Sequence, residues 1–98
     1  MDSMMTNTER QQEFYDQTLY HLARRICFER IMLDWTQEDL AKHAGVSPNT
    51  VTNLERGSAV SLEVLCKICL ALGLGVEVAF KDVSQAKLDR YKNFKEDN

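Results

Sequence analysis

Residues 36–57 read Thr-Gln-Glu-Asp-Leu-Ala-Lys-His-Ala-Gly-Val-Ser-Pro-Asn-Thr-Val-Thr-Asn-Leu-Glu-Arg-Gly and leave the backbone little choice. Thr36, followed three residues later by Asp39, is a capping-box-like helix start. Leu40, Ala41 and Ala44 form one apolar stripe, and the small Ala41 lets a second helix cross closely. Gly45 supplies the positive φ that ends a helix in one residue, and Val46 fills the turn. Ser47 caps a second helix, with Pro48 at its first position, where a missing N–H costs nothing. Val51 and Leu54 then point inward, while Asn49, Thr50, Thr52 and Asn53 face out, and Gly57 closes the unit.

A helix that is apolar inside and carries short hydrogen-bonding side chains outside suits reading base edges in a major groove. The pattern Thr36-Gln37, Ala41, Gly45-Val46-Ser47, Val51 and Leu54-Glu55-Arg56-Gly57 resembles the helix-turn-helix of the Xre/Cro-type family of phage and bacterial regulators. The resemblance runs over residues 22–80 and is closest to antitoxin-like members. It implies an all-α fold: a lambda-repressor-like helix-turn-helix domain of 4–5 helices, here with a long N-terminal helix and a short C-terminal strand paired across a dimer.

Size allows one small domain, and a domain of 98 residues often gains stability by dimerising. No apolar run approaches the roughly 20 residues that span a bilayer, and the polar start lacks a signal pattern. A cytoplasmic protein with no membrane contact is expected. Its three cysteines then stay reduced. Cys66 and Cys69 make a Cys-x-x-Cys, which is half a metal site or, in an amphipathic helix without a second ligand pair, two core thiols. The second reading is preferred, so no metal or cofactor is expected. His21 and His43 are isolated. No paired carboxylates, nucleophile–base set or glycine-rich phosphate loop is present, which argues against an enzyme.

The net charge of −3 is unusual for a DNA binder. Its placement matters more than its sum. Residues 1–21 hold Arg10 against Asp2, Glu9, Glu13 and Asp16, giving −3, so the remainder balances to zero. Residues 36–57 hold Lys42 and Arg56 against Glu38, Asp39 and Glu55, or −1. Non-specific attraction to phosphates is therefore expected to be weak.

Three segments follow: residues 1–21, an N-terminal helical extension; 22–75, the Xre/Cro-type helix-turn-helix DNA-binding domain; and 76–98, a dimerisation strand and charged tail. One helix is predicted from about Thr8 to about Leu33, with Tyr15, Leu19, Leu22, Ile26 and Leu33 on the core side. Its early residues either fold back over the domain or pack on a second subunit or another partner, and the intersubunit role is preferred. Phe28, Ile31 and Met32 stand where the family carries polar residues; they extend the core or form an exposed patch. Trp35 fits a hydrophobic staple against Leu40. Ser61 caps a helix over residues 62–72, with Leu62, Leu65, Ile68, Cys69 and Leu72 buried and Gly73 as its stop. Val76, Val78 and Phe80 alternate with Glu77 and Ala79 as a strand would. One strand must pair, and the same strand of a second copy is the economical partner, hence a homodimer. Beyond it, Ser84 could cap a short helix bearing Val83, Ala86, Leu88, Tyr91 and Phe94, either a solvated end or a docking segment.

Glu55 sits beside Leu54 in an apolar stretch, and a buried carboxylate needs a partner. Arg30 matches the arginine that pairs with it in the family. The resemblance also implies that Gln37 contacts the DNA backbone and that Ser47, Pro48, Asn49 and Asn53 fall at base-contacting positions. Asn49 is the best base reader because an amide can be bidentate to adenine. Thr50 and Thr52 reach backbone or a methyl group, and Lys42 and Arg56 are the phosphate cations. The expected function is a sequence-specific DNA-binding transcriptional regulator, a repressor on a near-palindromic operator in double-stranded DNA, either a stand-alone regulator or the antitoxin of a toxin–antitoxin pair with a toxin partner. The alternative is a protein-interaction module that keeps the fold without strong DNA binding.

Overall fold

Each of four helices in this chain begins on a hydroxyl. Thr6 Oγ1 accepts from Glu9 N at 3.1 Å and starts α1 (Asn7–Met32). Thr36 Oγ1 accepts from Asp39 N at 3.0 Å, while Asp39 Oδ2 accepts from Thr36 N at 2.9 Å, completing a capping box for α2 (Gln37–Ala44). Ser47 caps α3 (Pro48–Glu55) and Ser61 caps α4 (Leu62–Ala71), each by accepting the N–H three residues on. Each such bond satisfies a donor that the helix itself leaves unpaired. The structure, a computed structural model, describes residues 5–82, 84, 89, 90 and 92, and these four helices are the extended elements among them.

The turn between α2 and α3 follows from one glycine. Gly45 takes φ 72°, and Val46 N donates back to Ala41 O at 3.0 Å, so the chain reverses at once. The end of α1 uses a residue that sequence reading passed over. Asp34 adopts φ 58°, a conformation that short polar side chains tolerate, and Trp35 N donates to Arg30 O at 3.2 Å.

The core lies where α2, α3 and α4 meet the second half of α1. Ile26, Leu40, Ala41, Val51, Leu54, Ile68, Cys69 and Leu72 form it, with Leu22, Trp35, Val46, Val60 and Leu65 packed around. Each fully buried aliphatic side chain contributes about 1.5–3 kcal/mol. The tryptophan lies over this core and stacks on His43, with ring centroids 4.1 Å apart and planes 15° from parallel.

Four expectations need correction. Tyr15 and Leu33, assigned to the inner face of α1, are 48% and 45% exposed. For Tyr15 the reason is length: α1 has 26 residues, about 39 Å, while the helices beside it have 8 to 10; Leu33 lies past the last residue of α1, as its C-cap. The first three turns of α1 are exposed on every side. Leu62, in the first turn of α4, is 62% exposed. Cys66 is exposed while Cys69 is buried, so the two do not form a pair of core thiols. Finally, residues 76–80 form no strand: among the described residues none lies in a β-ladder, and Val76, Val78 and Phe80 are 39%, 67% and 95% exposed. An extended segment becomes a strand only when another backbone takes its N–H and C=O groups, and the described residues offer none. The helix expected after Ser84, with Val83, Ala86, Leu88, Tyr91 and Phe94, falls mainly outside the described residues.

α1 runs unbroken through residues 21 and 22, where extension and domain were expected to meet. No helix among the described residues is long and apolar enough to cross a membrane.

Candidate nucleic-acid interface

The polar centre of the domain is built around Glu55, at the last turn of α3. Its side chain is 5% exposed. Arg30, from α1, meets it side-on: Nε donates to Oε2 at 2.7 Å and Nη2 to Oε1 at 2.9 Å. The third nitrogen, Nη1, donates to the Trp35 carbonyl at 2.7 Å. The guanidinium therefore fastens α1, the α1–α2 connection and α3 in one plane, a geometry that lysine cannot copy.

The network continues into α2. Gln37 Nε2 donates to Glu55 Oε1 at 3.1 Å, and Gln37 Oε1 accepts from Thr52 Oγ1 at 2.8 Å. Both ends of the Gln37 amide thus hold α3 against the first turn of α2. Burial pushes the Glu55 carboxyl up, but the hydrogen bonds from Arg30 and Gln37 and the charge of Arg30 outweigh it and hold the group below the usual carboxylate range. Arg30 is raised in turn, chiefly by its hydrogen bond to Glu55. Asp39 is also held low, first by the backbone N–H of Thr36 and then by that residue's side chain.

The outer side of α3 is different. Asn49 and Asn53, one helical turn apart, are exposed, as is Pro48 before them. Thr36, Gln37, Glu38, Pro48 and Thr52 line a shallow cleft where the N-terminal ends of α2 and α3 converge. Helix N-termini present unpaired N–H groups and positive partial charge, which suits a phosphate.

Several residues named from sequence are brought together here: Gln37, Pro48 and Thr52 in the cleft, with Asn49 and Asn53 beside it. Ser47 and Thr50 are turned to local work, for Ser47 Oγ lies 2.8 Å from Thr50 Oγ1 and accepts Thr50 N at 3.2 Å. Lys42 and Arg56 are exposed at the C-terminal ends of α2 and α3, away from the cleft. Sequence reading missed that Gln37 and Thr52 are bonded inward. One signal was present: Thr52 and Glu55 stand three apart on α3 and so share a face. No group of three or more His, Cys, Asp or Glu side chains among the described residues is placed to hold a metal ion.

Two short helices, a glycine turn, a shared apolar core and an open polar face on the second helix define a helix-turn-helix domain. Residues 29–78 match the family model described as Helix-turn-helix, and the chain belongs to the Xre/Cro-type helix-turn-helix family. No curated protein and no solved structure matches the chain.

Proposed function

We propose that the protein is a sequence-specific transcriptional regulator, a repressor that binds a near-palindromic operator as a homodimer. The observation that carries the reading is the outer face of α3, where Asn49 and Asn53 stand exposed one turn apart on a helix whose inner face is fixed in the core. Two amides at that spacing suit successive base edges, adenine above all. Pro48 adds an apolar surface for a thymine methyl. Gln37 and Thr52 orient α3 against α2, and Gln37 keeps one N–H for a phosphate oxygen. The N-terminal N–H groups of both helices, with Ser47 and Thr50 at the start of α3, face the backbone, and Lys42 and Arg56 supply phosphate cations.

Charge supports this more than the motif's own balance suggests. Residues 36–57 carry −1, but Glu55 is neutralised by Arg30 from outside the motif. The face is near neutral, so binding leans on directed contacts and on two copies acting together.

Gel shift of fragmented genomic DNA at graded salt tests the reading. A small set of fragments should be retained, and Asn49→Ala and Asn53→Ala should each alter the retained sequences. Failure to retain any fragment even at low salt sinks it and favours the interaction module. The apolar residues exposed along α1 support that second reading, in which a protein such as a toxin is the partner.

A further inference from the structure

α1 carries a second apolar face. Tyr20, Phe28, Ile31 and Met32 recur at helical spacing on the side away from the core and are 55%, 58%, 58% and 66% exposed. Phe14, 69% exposed, continues the row toward the N-terminus. The row borders a groove: Ala23, Arg24, Cys27, Phe28 and Ile31 line it with Glu55, and it runs on past Asp16, Tyr20 and Arg56. A face like this calls for an occupant, and the charges of α1 say which one.

Residues 7–19 hold Glu9, Glu13 and Asp16 against Arg10, net −2; residues 20–32 hold Arg24, Arg25 and Arg30 against Glu29, net +2. Arg30 is committed to Glu55, and Arg25 lies 3.4 Å from Glu29. Arg24 is therefore the cation bordering the apolar row, where it sits over the Tyr20 ring. Glu13 precedes Arg24 by eleven positions, close to three full turns, so both stand on the same outer side.

We propose that this face of α1 binds the same face of a second copy, antiparallel, about a two-fold axis near Tyr20. An antiparallel copy sets acid against base at both ends of the contact; a parallel copy sets like against like. With the axis there, Glu13 lies about 4.5 Å along the helix from Arg24 of the second copy, and Phe14 about 3 Å from Phe28, at 1.5 Å per residue. The contact covers the first three turns of α1, which are exposed and which as an isolated helix of that length would be marginal. At roughly 150–250 Å² per aromatic side chain, the exposed parts of Phe14, Tyr20 and Phe28, with those of Ile31 and Met32, come to on the order of 1,000 Å² over the two copies, near the lower bound for a specific interface. The inference supplies the surface for the homodimer of the proposed function. Its test uses no DNA, so loss of DNA binding and loss of this contact are read separately.

Sedimentation velocity of the full chain over a concentration series provides the test, with circular dichroism melts as the folding control. Wild type should be a dimer. Glu13→Arg and Arg24→Glu should each weaken association by about tenfold or more. Their equimolar mixture should recover it, because each arginine then faces a glutamate. Phe28→Glu should give a folded monomer, and Phe80→Glu should leave the dimer intact. A monomeric wild type, single charge swaps that associate as wild type, a mixture that fails to recover, or a dimer lost only in Phe80→Glu would each overturn the proposal. If Phe28→Glu unfolds, the charge-swap mixture still decides.

Discussion

The two sides of α3 treat polar side chains in opposite ways. On the inner side Thr52 and Glu55 are tied to Gln37 and Arg30 by four hydrogen bonds between 2.7 and 3.1 Å. On the outer side Asn49 and Asn53 are exposed and have no such ties. The contrast separates two jobs. The inner set fixes where the helix lies; the outer set is left to meet whatever the helix is presented to. A side chain doing the first job is expected to register in stability, one doing the second in binding alone.

Glu55→Ala is the strongest way to break that division. It leaves the Arg30 guanidinium buried without its carboxylate, a loss of about 3–5 kcal/mol. A thermal melt should show a large drop, and one that overlays wild type would refute the inner set's structural role. The same group sets the acid response. Its folded pKa is held below the unfolded value, so its contribution is fully present above the usual carboxylate range near 4.3 and is lost as pH falls through the lower folded value. Asp39 acts in the same direction. The melting temperature should stay level from neutral pH to about 5, then fall, and Glu55→Gln should flatten that fall.

Asn49→Ala sharpens the other side of the comparison. It should cost about 1–3 kcal/mol of DNA binding at one base position with an unchanged melt. A shifted melt would mean that the outer face is not independent of the fold. Gln37→Ala straddles the two and should be the smallest: about 1 kcal/mol in stability for the lost bonds, with a parallel loss in DNA affinity. Loss of affinity alone would place Gln37 with Asn49 instead.

The division explains what sequence alone made visible. Caps and turns depend on residues three or four apart, so Thr36, Asp39, Gly45, Ser47 and Ser61 could be placed without a fold. That Glu55 has a partner was readable because a carboxylate among apolar residues demands one, and the resemblance to the family pointed to Arg30. The bonds from Gln37 to Glu55 and from Thr52 to Gln37 were not, since they depend on how closely two helices approach. Residues 76–80 misled for the opposite reason: alternation describes a surface fit for pairing, but only a second backbone makes it a strand. Leu62 and Cys66 misled because α4 is apolar on more than one side, and period does not say which side meets the core.

α1 contains neither glycine nor proline between Asn7 and Met32, and it enters the core by its second half. Its first half is therefore held in phase with the domain like the blade and bow of a key. One residue inserted between Thr18 and Leu19 would advance the blade by 1.5 Å and turn it by about 100° while leaving every core contact in place. Small insertions here, harmless to folding, would redirect everything that Glu13 and Phe14 present to the outside.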